Sequence, residues 1–394
     1  MTGSFTVRNH GIVKMTNATF SAVASFSVKD SARLEIHSGT IITPTALAVD
    51  IDEDARLYLN EGRTMQVADF HYGTTRAKGG AYYQGPDGTN EGAIVIDQIE
   101  GPGCIYVPAR EVETTFATWD GGGADTDIRT KENWEEDALP DLDEGGLVAT
   151  FGSAGSLATV GADATFKGIV FNATDKPDGR TNDFAIVGAK TMNILSEGLV
   201  ALAPSADEYY HYTLGAPLNL QAEQVWTLPS SGKTVLDVTA PISADSSKFG
   251  ISLGGAATVN LRASNTMAGG WTISNTTVYA SADDAFGVTD VSDPHGVSVS
   301  KAGQVRLLGS HTYDKSFSLT SSAPNAGPYP TMLATQDGTT NYITRAVSTS
   351  SGQYLQCGKN ALLVLEGGLS CGGYFNLNGG AGSRVVVTNK SFNG

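Results

Sequence analysis

From Lys248 to Gly287 the chain reads KFGISLGGAATVNLRASNTMAGGWTISNTTVYASADDAFG, and its apolar residues fall two apart: Ile251/Leu253, Val259/Leu261 and Trp271/Ile273, followed by Val278. Gly, Asn, Ser and Thr separate the pairs. Alternation over such short stretches marks half-buried strands cut by turns, because a helix would repeat its apolar residues at three and four positions. The alternation predicts that Leu218, Leu220, Trp226, Leu228, Leu236, Val238, Ile251, Leu253, Val259, Leu261 and Ile273 point into one shared core. Residues between them, such as Asn219, Asn260 and Thr272, then face outward.

Similar strand signals recur along most of the chain. From Phe166 onward they include Ile169–Phe171, Phe184–Val187, Met192/Ile194, Leu199–Leu202, Val225–Leu228 and Leu236/Val238, spaced about 8 to 12 residues apart, which fits a sandwich, a barrel or a solenoid. Earlier examples are Phe26/Val28, Leu34/Ile36, Leu57/Leu59, Ile94/Ile96 and Ile105/Val107. The 47 Gly and the 17% of charged residues suit strands and turns better than helices. Helical turns are expected only at residues 130–138 and at Asp283–Phe286. Residues 320–345 are rich in turn formers and read as an insertion loop.

Residues 248–287 resemble the autotransporter-associated β-strand repeat family. The landmarks are Asn265-Thr266, Gly269-Gly270 and Ala285-Phe286-Gly287, with Trp271 inserted before the Thr of the pattern, Thr272. A second stretch resembles the start of a unit in that family: Trp119-Asp120-Gly121-Gly122, Asn133-Trp134, Pro140, Asp143 and Leu147–Phe151, departing at Ile128, where the family often has Trp. Residues 55–107 resemble its closing rungs, with a strand at Arg56–Leu59, a loop at Gly79-Gly80-Ala81-Tyr82 and a last turn at Glu100–Gly103. The resemblance implies an all-β, right-handed parallel β-helix (β-solenoid) in two stacked or linked units. Residues 1–111 would end a first unit, 112–165 would be a linker with a Trp-containing cap, and 166–394 a second, C-terminally incomplete unit. It further implies a non-catalytic structural or adhesive segment of a large bacterial surface-displayed or secreted protein.

The residues themselves narrow the chemistry. A net charge of −16 disfavours nucleic acid, whose phosphates need clustered Lys and Arg. No apolar run is long enough to span a membrane as a helix. The opening MTGSFTVRNHGIV lacks the apolar core of a signal peptide, so an extracellular or cell-surface location would need an export signal from a longer polypeptide. Cys357 and Cys371 flank a strand signal at Leu362–Leu365, which leaves open either a disulfide or two buried thiols, and Cys104 reads as core. Acidic residues at 120–127 and 135–144 match no regular calcium loop, so they read as a solvated surface, with no metal and no cofactor assigned.

Aromatic residues mixed with polar ones suggest where a glycan or a cell-surface partner would touch. Tyr209, Tyr210, His211 and Tyr212 form one such group and Tyr82 and Tyr83 another, the latter near His71, Arg76 and Lys78. Both are read as loops able to stack on sugar faces. Gly250–Gly254 and Gly368–Gly372 have the Gly-x-Ser-x-Gly spacing, but neither leads into a helix signal as a nucleophile elbow would. No His-Glu-x-x-His or phosphate-binding Gly loop occurs, and the six His are scattered. An enzyme is therefore not expected, and the alternative is a glycan-binding or polysaccharide-degrading β-solenoid, either a lyase or a hydrolase.

Overall fold

A computed structural model describes the chain apart from residues 1, 17–18, 21, 38–40, 43–46, 61–63, 78–80, 89–92, 108–112, 153–156, 173–181, 204, 206, 230–232, 290–294, 321–330, 351–352, 373–375 and 389–394. It is an all-β parallel solenoid of about 14 turns. Among the described residues, helical geometry is confined to two 3-10 turns, Lys131–Asn133 and Glu135–Asp137. Asp283–Phe286 is a plain turn. The chain divides into two compact units, Met1–Val112 and Glu113–Gly394.

In the first unit, one parallel ladder joins Thr2–Val7, Ala22–Val28, Ala48–Ile51 and Asp69–Tyr72. A second joins Ile12–Met15, Arg33–Ile36, Arg56–Leu59 and Ile99–Glu100. The alternating residues Phe26/Val28, Leu34/Ile36, Val49/Ile51 and Leu57/Leu59 all point inward and are buried. Ala81 and Tyr82 do not form the expected loop. They belong to the strand Ala81–Gln84, which pairs antiparallel with Cys104–Val107 and so interrupts the parallel stacking. Gly79 and Gly80 lie outside the described residues. Cys104 is buried, as its apolar neighbours predict.

Two ladders run through the second unit. The first passes from Thr115–Thr118 through Leu147–Phe151, Ala164–Phe171, Met192–Ala201, Gln224–Thr227, Ile251–Gly254, Trp271–Ser274, Val297–Ser300, Phe317–Thr320 and Val347–Thr349 to Leu369–Cys371. The second passes from Leu157–Val160 through Asn182–Gly188, Tyr210–Gly215, Thr234–Val238, Thr258–Leu261, Thr277–Ala280, Gln304–Leu307, Thr331–Thr335 and Tyr354–Cys357 to Asn376–Gly379. All eleven residues predicted to share a core are buried in one cluster, and Asn219, Asn260 and Thr272 face out. The expected insertion loop at 320–345 is not one: Thr331–Thr335 and Thr340–Ile343 are rung strands, while 321–330 lie outside the described residues. Their Thr, Asn and Gly content imitated a loop, although Met332, Leu333 and Ile343 supply the buried positions.

A third side opens where one long strand gives way to two. Leu218–Leu220 pairs with the first half of Met192–Ala201, and Gln224–Thr227 with the second. At this corner Gln224 is fully buried, and its amide donates to the carbonyls of Ile194, Leu195 and Ala222 at 3.4, 2.6 and 3.0 Å. Buried backbone acceptors are thereby satisfied where the ladder divides. Ile242–Ala244 continues the third side. Among the described residues, strand pairing on that side resumes at Thr312–Tyr313 and then runs through Thr340–Ile343 and Leu362–Leu365 to Arg384–Val387.

Isolated backbone hydrogen bonds, such as Thr266 N–H to the Ile242 carbonyl at 2.9 Å and Val288 N–H to the Met267 carbonyl at 3.1 Å, stitch the interval between together with side chains. The Asn265 amide oxygen accepts from the Ile242 backbone N–H at 2.7 Å, and its NH2 donates to the Ala285 carbonyl. The Trp271 indole N–H donates to the Phe286 carbonyl at 3.0 Å. These are the motif residues singled out from the sequence, and the glycines among them have a steric reason. A Cβ on Gly269 would overlap the Phe249 carbonyl oxygen, and Gly287 holds φ +84° against the Met267 carbonyl.

Lys315 bridges the same region from inside. It is fully buried, and its ammonium donates to the carbonyls of Ala268, Gly269 and His295 at 2.6, 3.0 and 3.2 Å. Burial pushes its amine down to about 8, against an opposing pull from Asp314.

Trp119 and Trp134 are both fully buried, 5.6 Å apart and edge to face, with Phe151 against both rings. Their backbones form an antiparallel bridge, and the Trp134 indole N–H donates to the Ile128 carbonyl at 2.7 Å. Ile128, the departure from the family pattern, is itself buried in this cluster. Cys357 and Cys371 are both free thiols, Cys357 buried in the second ladder and Cys371 half-buried in the first.

Trp134→Ala is expected to cost roughly 3–5 kcal/mol, because it empties a large buried volume and leaves the Ile128 carbonyl without its donor. A urea-unfolding midpoint equal to that of the wild type would contradict the packing described. Lys315 gives a pH test. Its amine titrates near 8 when folded and near 10.5 when unfolded. Between those values the unfolded chain holds a proton the folded chain has released, so this group makes stability rise with pH across that window. In Lys315→Met that rise is expected to disappear, as unfolding measured at steps through the window would reveal.

Candidate functional site

On the outer face of the second ladder, strand register aligns polar side chains from successive rungs. Asp183 stands opposite His211, and His211 opposite Val235; two residues along, Thr213, Asp237 and Asn260 align. Tyr209 and Lys233 immediately precede their strands, and Arg262 immediately follows its own. Tyr209, Tyr210, His211, Lys233, Val235, Asp237, Asn260 and Arg262 line a groove of about 310 Å³. That is the small end of the range for ligand pockets.

Asp237 organises the groove. It is 8% exposed, a depth at which an unpaired carboxylate would be costly. Its Oδ2 lies 3.2 Å from the His211 Nε2 and 3.1 Å from the Arg262 Nη2, and its Oδ1 accepts from the Asn260 amide. The His211 Nδ1 is 3.6 Å from Asp183, so one imidazole lies between two carboxylates from different rungs. Lys233 donates to the Asp207 carbonyl at 2.6 Å and sits 5.5 Å above the Tyr209 ring. The arrangement is a fixed set of donors beside one exposed aromatic ring.

The structure separates the tyrosines that the sequence grouped. Tyr209 is 62% exposed. Tyr210 and Tyr212 are fully buried on the strand Tyr210–Gly215, which corrects their expected place in an exposed loop. The Tyr212 hydroxyl donates to the Leu202 carbonyl at 2.6 Å, its ring stacks on Phe171 at 4.8 Å, and the Tyr210 hydroxyl accepts from the Ser205 N–H at 2.9 Å. His211, between them, faces out. The run Tyr-His-Tyr is therefore a strand alternation and not a loop.

In the first unit Tyr83 is also buried, edge to face with Phe70 at 5.4 Å, so it too is core and not an exposed stacking ring. Tyr82 is 43% exposed and pairs with Tyr106 across the strands at 4.6 Å. Arg76 and His71 both approach Asp69, at 3.1 and 3.4 Å, and Lys78 lies outside the described residues.

The acidic stretches in the second unit shape turns. Asp125 accepts from the Asp127 N–H, the Thr130 hydroxyl and the Asn133 amide, while Asp141 accepts from the N–H groups of Asp143 and Glu144. Asp143 pairs with Arg129 at 2.7 Å. Among the described residues, no group of three or more His, Cys, Asp or Glu converges as a metal site would require.

The fold places the chain among the parallel β-solenoids. No protein-family model, curated protein or solved structure matches it.

Replacing Tyr209 by Ala is expected to leave stability within about 0.5 kcal/mol of wild type, as at other exposed positions. Tyr212→Ala is expected to lose roughly 3–5 kcal/mol. Equal urea midpoints for the two variants would show that this strand register is misplaced.

Proposed function

We propose that this chain is a non-catalytic structural and adhesive segment of a large bacterial surface-displayed or secreted repeat protein. Its solenoid acts as a rigid spacer, and the groove around Asp237 is a contact for glycan. The unbroken stacking of the second unit carries this reading. A ladder of 10 strands, at about 4.8 Å per rung, spans roughly 45 Å with one continuous core. The motif resemblance of residues 118–172 and 214–287 to the autotransporter-associated repeat family points the same way.

The outward face of the first ladder also supports a spacer. Ser252, Thr272, Ser298, Ser318, Ser348 and Ser370 occupy one aligned position over six rungs, and none is charged. Such a face stays hydrated without attracting partners by charge. The competing reading, a polysaccharide lyase or hydrolase, needs a carboxylate or other base free to take a proton from substrate. Asp237, the best-held carboxylate of the groove, has both oxygens engaged by neighbours.

The expected outcome is binding without turnover. The purified chain should retain on a glycan array through contacts that weaken in Tyr209→Ala, and should release no reducing ends or unsaturated products from a panel of neutral and acidic polysaccharides. Product release that Asp237→Asn or Asp183→Asn abolishes would replace this reading with the enzymatic one.

A further inference from the structure

Charge in the Asp237 groove is layered. The carboxylate forms the floor: the Asp237 side chain is 11% exposed, and its partners His211, Arg262 and Asn260 already occupy both oxygens. The guanidinium forms the rim, with the Arg262 side chain 52% exposed. A guanidinium carries five N–H donors, so the contact with Asp237 leaves donors to spare. Lys233 stands at the other end of the groove, preceding the strand Thr234–Val238 while Arg262 follows the strand paired with it, and the Lys233 ammonium is held over the exposed Tyr209 ring by the Asp207 carbonyl. Asp183, the other carboxylate nearby, is directed at the His211 Nδ1.

Among the residues that line the groove the outermost charged groups are thus donors, and the one carboxylate, Asp237, is saturated; Asp183, 55% exposed, lies outside that lining. A ligand must bring acceptors of its own, and a guanidinium and an ammonium pair most strongly with a carboxylate. The exposed Tyr209 ring adds a flat apolar platform of the kind that receives the C–H face of a sugar. The geometry points to a carboxylate-bearing sugar, a uronate unit of an acidic polysaccharide. One uronate carboxylate would meet Arg262 and that of another unit along the chain would meet Lys233, with a sugar ring against Tyr209. This assignment rests on the glycan-contact reading of the groove. The net charge of −16 adds a corollary: elsewhere the surface repels a polyanion, so binding depends on this local pair of cations and weakens as salt screens them.

The test uses the full chain with four probes: alginate, hyaluronan, their carboxyl-reduced forms, and polyglutamate as a carboxylate polymer without sugar rings. Binding to alginate or hyaluronan is expected to be about tenfold or more tighter than to the reduced form and to polyglutamate, and to fall by a similar factor in the double variant Lys233→Gln, Arg262→Gln. Both side chains lie at the rim of the groove, and an unchanged circular dichroism spectrum and urea midpoint would confirm that the variant is folded. Tyr209→Ala should weaken binding to the uronates and leave the feeble binding to polyglutamate unchanged. The uronate assignment is overturned if the reduced polymers bind as tightly as the acidic ones, if polyglutamate binds as tightly as alginate, or if the folded double variant keeps wild-type affinity. Binding to neutral glycans alone would overturn the assignment while leaving the glycan-contact reading standing, whereas no binding to any glycan would remove that reading as well.

Discussion

Backbone hydrogen bonding from each rung to the next, in parallel register through the two long ladders of the second unit, is the constraint on which the rest of this structure depends. Register decides which face of a strand meets the core, and a slip by one residue would turn every apolar side chain to solvent. Ile251, Trp271, Val297, Phe317 and Val347 align on successive rungs for this reason, and the residue after each is Ser or Thr. The same register builds the groove, because Asp237 meets His211, Asn260 and Arg262 only when their three strands are aligned as they are.

Much of the core was legible in the sequence, since alternation is a local property. Leu218 through Ile273 were assignable because each strand carries its own inward pair. The motif residues were legible as positions but not as chemistry. Nothing local to Asn265 reveals that its amide substitutes for a missing strand partner on the third side, reaching back to Ile242 and forward to Ala285. Residues 331–343 were misread because turn-forming Thr, Asn and Gly outnumber the few apolar residues that face inward. Composition averages over both faces of a strand, whereas the fold depends on one.

The site was less legible, and for a physical reason. Lys233 and Asp237 belong to one rung and Asn260 and Arg262 to the next, and their neighbourhood depends on the length of the loop between. Aromatic density drew attention to Tyr209–Tyr212, but alternation within that run was the better signal. It places Tyr210 and Tyr212 inside and His211 outside, and the same rule applied one rung on puts Val235 and Asp237 on the outer face beside it. A buried outward-facing Asp next to His and Arg is apparent only once those rungs are aligned.

The stitched third side has a mechanical consequence. The first two walls of the second unit are continuous sheets, and stretching or compressing either distorts a whole ladder of hydrogen bonds. Between Ile242–Ala244 and Thr312–Tyr313 the third wall is held by isolated backbone hydrogen bonds, such as those from Thr266 to Ile242 and from Asp284 to Thr312, by the side chains of Asn265 and Trp271 and, from within, by Lys315. Isolated hydrogen bonds and side-chain links yield more readily than a continuous ladder of paired strands. Stiffness therefore differs with direction here: the column resists flexing in the plane of its sheets and yields most readily when this wall opens or closes. A sideways load on the unit would concentrate at this seam, with the Lys315 ammonium and its three carbonyl partners as the inner tie that limits how far it opens.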